Sequence, residues 1–432
     1  MNPALKSHLY DRAIGAVIGS AVGDALGSQY EFGPAHPDTF EPSFGHSVFG
    51  HGVGEWTDDT QMAMPILEEL ARGASLNDTV TLGRIITAWQ RWRHDALDVG
   101  AQTSAVLEAL GEDPTEASGR AAARAVHDRA GRSGGNGSLM RTGPVALGYL
   151  ADDREADLAD AAGRIAQLTH WETDNLDAVV LWCLAIRHAI RTGTLDLRAG
   201  LDFVPAGARR DRWSELIDRA SAPGAHPRDF QESNGRVVVA FLGAAAAITG
   251  ATDYRSAITR AIQGGGDTDT VAAIAGALAG ALHGVSGIPL SWQRTVHGWP
   301  GYDVNDLSAL ALLAARGGTP TPDGSLHGLE GAEPLAATLP GKAQPPNRQF
   351  RVILACSWCC SGSNCHQGCR QNCRQTRPQH HRRRPVDEQS QRATKTPATS
   401  PRTALNLSEV LRDSHSAVEI VRVSHLHGFK RI

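Results

Sequence analysis

Cysteine is almost missing from the first 355 residues of this 432-residue chain: Cys183 stands alone there, and the other six lie between Cys356 and Cys373. That excludes a disulfide framework for the body, and a lone thiol fits a reducing, cytoplasmic setting. Long apolar runs are lacking too. Ala13 to Leu26 is broken by Asp24, and Val271 to Leu282 falls well short of the ~20 residues a bilayer span needs, so no membrane segment is expected. Met1 to Tyr10 shows no charged stretch followed by an apolar one, and no targeting signal is read there. Strand-like alternation is scarce and βαβ patterning is absent, which argues against a doubly wound sheet. The body is also short of positive charge. The formal net charge of −4 divides into about −14 before Pro345 and about +10 after it, so the body is not expected to grip nucleic acid non-specifically.

What the body does have is helical periodicity, and its 41% hydrophobic content is ample for a large core. Leu82, Ile85, Ile86, Trp89 and Trp92 share one helical face; Val179, Val180, Trp182, Cys183, Ile186 and Ile190 build another. Val237 to Ile248 and Ser308 to Ala315 continue the series, and the fold class predicted is all-α. Two segments carry glycine at every fourth position: Gly15, Gly19, Gly23 and Gly27, then Gly276, Gly280 and Gly284. In a helix each set falls on one face, and each glycine costs up to ~1 kcal/mol relative to alanine. Close backbone approach between helices would offset that cost, so these two helices are expected to sit centrally and pack tightly. After Arg316 the composition turns to Gly, Pro and Thr. The division expected is a globular domain over 1–318, a linker over 319–347 and a Cys-, Arg- and His-rich, disordered tail over 348–432, with one short helix available to Leu405–Val423.

Two acidic clusters open helical runs. In Gly54-Glu55-Trp56-Thr57-Asp58-Asp59-Thr60 the plain interpretation is helix capping, with Thr57 or Asp58 accepting hydrogen bonds from free amides. The second cluster, Gly264-Gly265-Gly266-Asp267-Thr268-Asp269-Thr270, crowds two carboxylates and two hydroxyls into four residues. Such carboxylates repel unless a cation joins them, when they become hard oxygen ligands. Gly264, Gly265 and Gly266 would let the backbone pass close to a ligand and offer amides to a phosphate at a helix start. Together Thr57, Asp58, Asp59, Asp267, Asp269 and Thr270 form an oxygen-only set that suits Mg²⁺ or Mn²⁺ and not zinc. A pair of such ions would orient a substrate and acidify a water. A third, weaker element is Gly134-Gly135-Asn136-Gly137-Ser138-Leu139-Met140-Arg141, which reads as a phosphate or ribose cradle in which Arg141 would pair with a buried acid or meet a phosphate. Thr169-His170-Trp171 precedes a strong helix; by itself a lone histidine is a structural hydrogen-bonder.

In this order the motifs resemble the ADP-ribosylglycohydrolase family. Gly19 to Gly33 with Asp24 and Glu31 looks like its opening helix and glutamate, Gly54 to Met62 its first metal motif, Gly135 to Arg141 its ADP-ribose turn, Thr169-His170 its histidine site, and Gly264 to Gly284 its second metal motif. The likeness spans about residues 11 to 316. It implies an orthogonal multi-helix bundle with two Mg²⁺ or Mn²⁺ ions at the floor of an ADP-ribose cleft. It implies that Thr57, Asp58, Asp59, Asp267, Asp269 and Thr270 are metal ligands and that Glu31 lies beside the metals, with Glu31, Asp58 and Asp269 carrying the chemistry. Gly135, Asn136, Gly137, Ser138, Met140 and His170 would line the ADP-ribose site, with Gly265 and Gly266 along the diphosphate. The implied partner is an ADP-ribosylated protein, most simply modified on arginine, or a small-molecule ADP-ribose conjugate. The alternatives are a serine linkage, a crystallin-like domain that binds ADP-ribose without cutting it, and a phosphoesterase built on the same carboxylates. No motif fixes an oligomeric state. The resemblance leaves the tail uncovered. Its cysteine spacing fits no standard zinc finger, so a redox-prone extension is expected over a zinc site, and His380 to Arg384 reads as a solvated basic run.

Overall fold

A computed structural model describes residues 3–318. The expectations for 319–347 and 348–432, including the cysteine cluster and the helix at Leu405–Val423, lie outside the described residues. Fourteen α-helices run through the described part: α1 (Pro3–Gly27), α2 (Asp58–Ala71), α3 (Thr79–Trp92), α4 (Ala101–Glu108), α5 (Glu116–Ala130), α6 (Gly137–Met140) and α7 (Glu155–Gln167). After these come α8 (Thr173–Thr192), α9 (Ala208–Ala220), α10 (Val237–Thr249), α11 (Tyr254–Gln263), α12 (Thr268–His283), α13 (Leu290–Thr295) and α14 (Val304–Ala315). The strands among these residues are two-residue pieces, His297–Gly298 and Tyr302–Asp303, paired antiparallel. The all-α expectation therefore holds, and no described helix is long and apolar enough to cross a membrane.

The two glycine stripes face each other. A Cβ at Gly15 would come within 2.3 Å of Gly280 O, one at Gly19 within 2.3 Å of Gly276 O, one at Gly23 within 2.1 Å of Ala272 O and one at Gly27 within 2.6 Å of Thr268 O. One partner number falls as the other rises, so α1 and α12 run antiparallel with their backbones in contact. Side chains lock the pair: Ser20 Oγ donates to Ala273 O, Thr268 Oγ1 to Gly27 O, and Tyr254 Oη to Gly19 O. Every α12 residue from Thr268 to Ala281 is buried. The consequence for function is positional. The C-terminal end of α1, carrying Asp24 and leading to Glu31, meets the N-terminal end of α12, carrying Asp267 and Asp269.

Helix α2 is held against the same place by indoles. Trp89 Nε1 on α3 donates to Met62 O at 2.8 Å, and Trp92 Nε1 donates to Gln61 Oε1 at 2.7 Å. Gln61 Nε2 in turn donates to Trp56 O, so the turn before α2 is tied to its own first helical residues. Trp56 and Trp89 are fully buried. Burial on this scale stabilises by roughly 1.5–3 kcal/mol for each large apolar side chain, and it aims Asp58 and Asp59 at the start of α12.

Candidate active site

The two acidic motifs meet. Carboxylate oxygens of Asp24, Asp59 and Asp269 lie within 4.8 Å of one another, and so do those of Glu31, Asp267 and Asp269. Thr270 Oγ1 donates to Asp59 Oδ2 at 3.4 Å, and Thr57 Oγ1 lies 3.3 Å from the same oxygen. Asp58 belongs to neither trio; its charge is felt beside Asp98, Asp24 and Asp267.

Capping, the plain interpretation of the first motif, is not what Thr57 does. It occupies the N-cap position of α2 without a side-chain cap bond. Its hydroxyl instead donates to Asp24 Oδ1 at 2.8 Å, while Thr60 Oγ1 donates to Asp24 Oδ2 at 2.6 Å and the Thr57 and Thr60 amides donate to the same carboxylate. Asp24 thus fixes the turn that presents Asp58 and Asp59. Its pKa is still raised, because complete burial outweighs those bonds.

Burial and mutual repulsion dominate the electrostatics. Desolvation first, then neighbouring carboxylates, hold Asp58, Asp59 and Asp269 well above the usual carboxylate range. Burial and then Asp267, Asp98 and Asp58 push Glu31 up to about 9. Asp98 is pushed up to about 6, again chiefly by burial. Two buried oxygens here, Glu31 Oε2 and Asp59 Oδ1, have no hydrogen-bond partner among the described residues. Buried acceptors without partners beside repelling carboxylates are costly unless a cation completes them. The donors are all oxygen, so the residues present fit a hard divalent ion.

Beside this cluster lies the glycine-rich turn. Asn136 Nδ2 donates to Asp267 Oδ2 at 2.8 Å and to Asn234 O at 3.1 Å, joining the turn to the second acidic motif. Asn175 Nδ2 donates to Gly135 O and to Ser138 Oγ, both at 2.7 Å. Ser138 is therefore a buried brace whose side chain faces protein, and Met140 is 5% exposed. Gly135 and Gly137 face the His170 ring.

One expectation needs correction. Arg141 neither pairs with an acid nor can meet a phosphate: it is fully buried, its Nη2 donates to Thr169 Oγ1, and its guanidinium lies 4.2 Å over the Trp89 ring. Gly265 and Gly266 have a protein-internal reason to be glycine. Both adopt φ +73°, and a Cβ would strike Ala35 N at 2.5 Å or Asn234 Oδ1 at 2.5 Å. Gly266 also exchanges two backbone bonds with the Phe32–Gly33 loop, which seats Glu31. Sequence reasoning missed Asp98 and Asn234 and left Asp24 out of the site. A carboxylate set inside the glycine-striped apolar stretch 13–27 was a usable signal for Asp24; Asp98 and Asn234 sit in loops with no pattern.

The match to the family model described as ADP-ribosylglycohydrolase covers residues 5–322. An ADP-ribosylarginine hydrolase of Pseudomonas putida is 30% identical over 291 residues, covering 66% of this chain and 74% of that protein. The ADP-ribosyl-[dinitrogen reductase] glycohydrolase of Rhodospirillum rubrum is 27% identical over 290 residues, covering 66% and 90%. A solved structure described as an ADP-ribosylglycohydrolase-related protein complex superposes with a TM-score of 0.53 at 28% identity, covering 72% of this chain and 99% of that one. With helices, acidic centre and turn in the order its motifs require, this chain belongs to the ADP-ribosylglycohydrolase family and is a hydrolase of the glycosidase type.

Proposed function

We propose that this enzyme hydrolyses the bond between ADP-ribose and an arginine side chain of a modified protein, releasing ADP-ribose. The observation that carries the proposal is the hydrogen bond from Asn136 to Asp267, which places the glycine-rich turn directly against the acidic centre. A diphosphate cradled along Gly135 to Gly137 would then lead its distal ribose toward Glu31, Asp59 and Asp269. Thr57, Asp58, Asp59, Asp267, Asp269 and Thr270 are the residues that would hold two Mg²⁺ or Mn²⁺ ions. Bound there, such cations supply positive charge for the ribose oxygens and for a water about to lose a proton.

The chain's own side chains divide the remaining work. Glu31, which bound cations would hold deprotonated against the burial that otherwise raises its pKa, takes the proton of the water that attacks the anomeric carbon; its unpartnered Oε2 is the acceptor position. As the new C–O bond forms, the bond from the anomeric carbon to the guanidine nitrogen breaks, and its electron pair stays on nitrogen. That nitrogen, strongly basic once free, takes up the proton and leaves as arginine. Asp24 holds Thr57 and the start of α2 in place throughout, and His170 borders the turn that receives the diphosphate. The arginine linkage is the choice because an ADP-ribosylarginine hydrolase is among the similar proteins.

The test is a panel of arginine-linked, serine-linked and small-molecule ADP-ribose conjugates, incubated with the purified chain and Mg²⁺, with and without EDTA. Release of ADP-ribose from the arginine conjugate, abolished by EDTA, is the expected result. Intact conjugates throughout would reject catalysis, and AMP or phosphate as product would point to a phosphoesterase.

A further inference from the structure

Arg141 is a fully buried cation that the proposed mechanism leaves idle. Burial pulls its pKa down to about 9, partly opposed by the charge of Asp58. Its polar contacts lead away from the carboxylates: Nη2 donates to Thr169 Oγ1 at 2.6 Å, and that oxygen lies 2.7 Å from His170 Nδ1. A guanidinium only donates, so Thr169 Oγ1 must accept from Arg141. The hydroxyl hydrogen of Thr169 then has an acceptor, among the contacts of the described residues, only if His170 Nδ1 presents its lone pair. Nε2 in consequence carries the ring proton. Burial and the neighbouring Arg141 charge both hold the His170 pKa well below its ordinary value, so the ring is neutral. The protonated edge faces the glycine-rich turn: a Cβ at Gly137 would lie 3.4 Å from Nε2, and one at Gly135 also 3.4 Å from it.

We infer that Arg141 and Thr169 are positioning residues that lock His170 as the neutral Nε2–H tautomer, a hydrogen-bond donor aimed at an acceptor oxygen of ADP-ribose in the Gly135–Gly137 turn. The opposite tautomer would turn a lone pair toward a ligand whose phosphates and ribose offer mainly acceptors, and would leave the Thr169 hydroxyl hydrogen buried without a partner. The ligand half of this inference rests on the ADP-ribose reading proposed above; the tautomer half does not.

The experiment separates the two. Long-range ¹H–¹⁵N spectra of the full-length, ¹⁵N-histidine-labelled chain report the tautomer of His170, identified by the signal lost in His170→Gln, and calorimetric titration with ADP-ribose reports binding. The wild type is expected to show Nε2–H. Thr169→Val should shift His170 to Nδ1–H or to a mixture and weaken ADP-ribose binding about tenfold, the loss of one hydrogen bond. Thr169→Ser, which keeps the hydroxyl, should restore both. An Nδ1–H or doubly protonated His170 in the wild type, or an unchanged tautomer in a folded Thr169→Val, overturns the inference. If the wild type shows Nε2–H yet binds no ADP-ribose, the proposed ligand is wrong while the lock stands; if Thr169→Val fails to fold, the wild-type and Thr169→Ser spectra still decide it.

Discussion

A buried carboxylate is tolerated when hydrogen bonds or a cation satisfy it; Asp24 has the first solution, and the carboxylates a few ångströms away are built for the second. Asp24 takes four donors from Thr57 and Thr60. Asp24→Ala strands those donors in the interior and should cost about 3 kcal/mol, read as a lower urea midpoint, with hydrolysis falling because Thr57 and Asp59 lose their placement. An unchanged midpoint would show that the turn holds itself. Among the described residues Asp58 and Asp269 have smaller support, a backbone bond from Gly100 to Asp58 and one from the Thr270 amide to Asp269 Oδ1 at 2.9 Å. Asp58→Asn and Asp269→Ala should bring hydrolysis down to that of EDTA-treated wild type while helical circular dichroism stays intact; full activity in either would remove the cation-centred account.

Helices α1 and α12 owe their proximity to residues that have no side chain. At Gly276 a Cβ would stand 2.1 Å from Gly19 O, and a backbone carbonyl in a helix cannot step aside. Gly276→Val should therefore cost more than about 3 kcal/mol, beyond ordinary overpacking, and should separate Asp24 and Glu31 from Asp269. Gly243 on α10 is the control. A Cβ there meets Val271 at an ordinary 3.5 Å, so Gly243→Ala should stabilise by roughly 0.5–1 kcal/mol. Thermal melting of both variants checks the pair; equal losses would mean that the stripe has no special role. This contact was legible in advance, because a four-residue glycine period needs only helical geometry to be interpreted. The helices themselves were legible for the same reason. What remained hidden depends on residues remote in sequence: the first acidic motif looks alike as a cap or as a ligand set, and only the positions of Asp24 and α12 decide. Asp98, Asn234 and the Thr169 contact of Arg141 have no local spacing that marks them.

Acidity and folding are linked through the same cluster. Glu31, Asp58, Asp59 and Asp269 have folded-state pKa values above their unfolded ones, Glu31 from 4.5 to about 9. Without a cation the folded chain therefore holds more protons than the unfolded one between about pH 4.5 and 9, and these groups cost stability as pH rises through that window. Cations compete with those protons, and their binding stabilises the folded state by mass action. The gap in melting temperature between Mg²⁺-loaded and EDTA-treated protein should widen from pH 6 to pH 9; a constant or shrinking gap would contradict the linkage. The most direct test of the centre itself is manganese. Crystals of the chain grown with MnCl₂ and measured at the manganese absorption edge should show two anomalous peaks where Thr57, Asp58 and Asp59 face Asp267, Asp269 and Thr270. A map with no peak there at saturating Mn²⁺ would contradict the account.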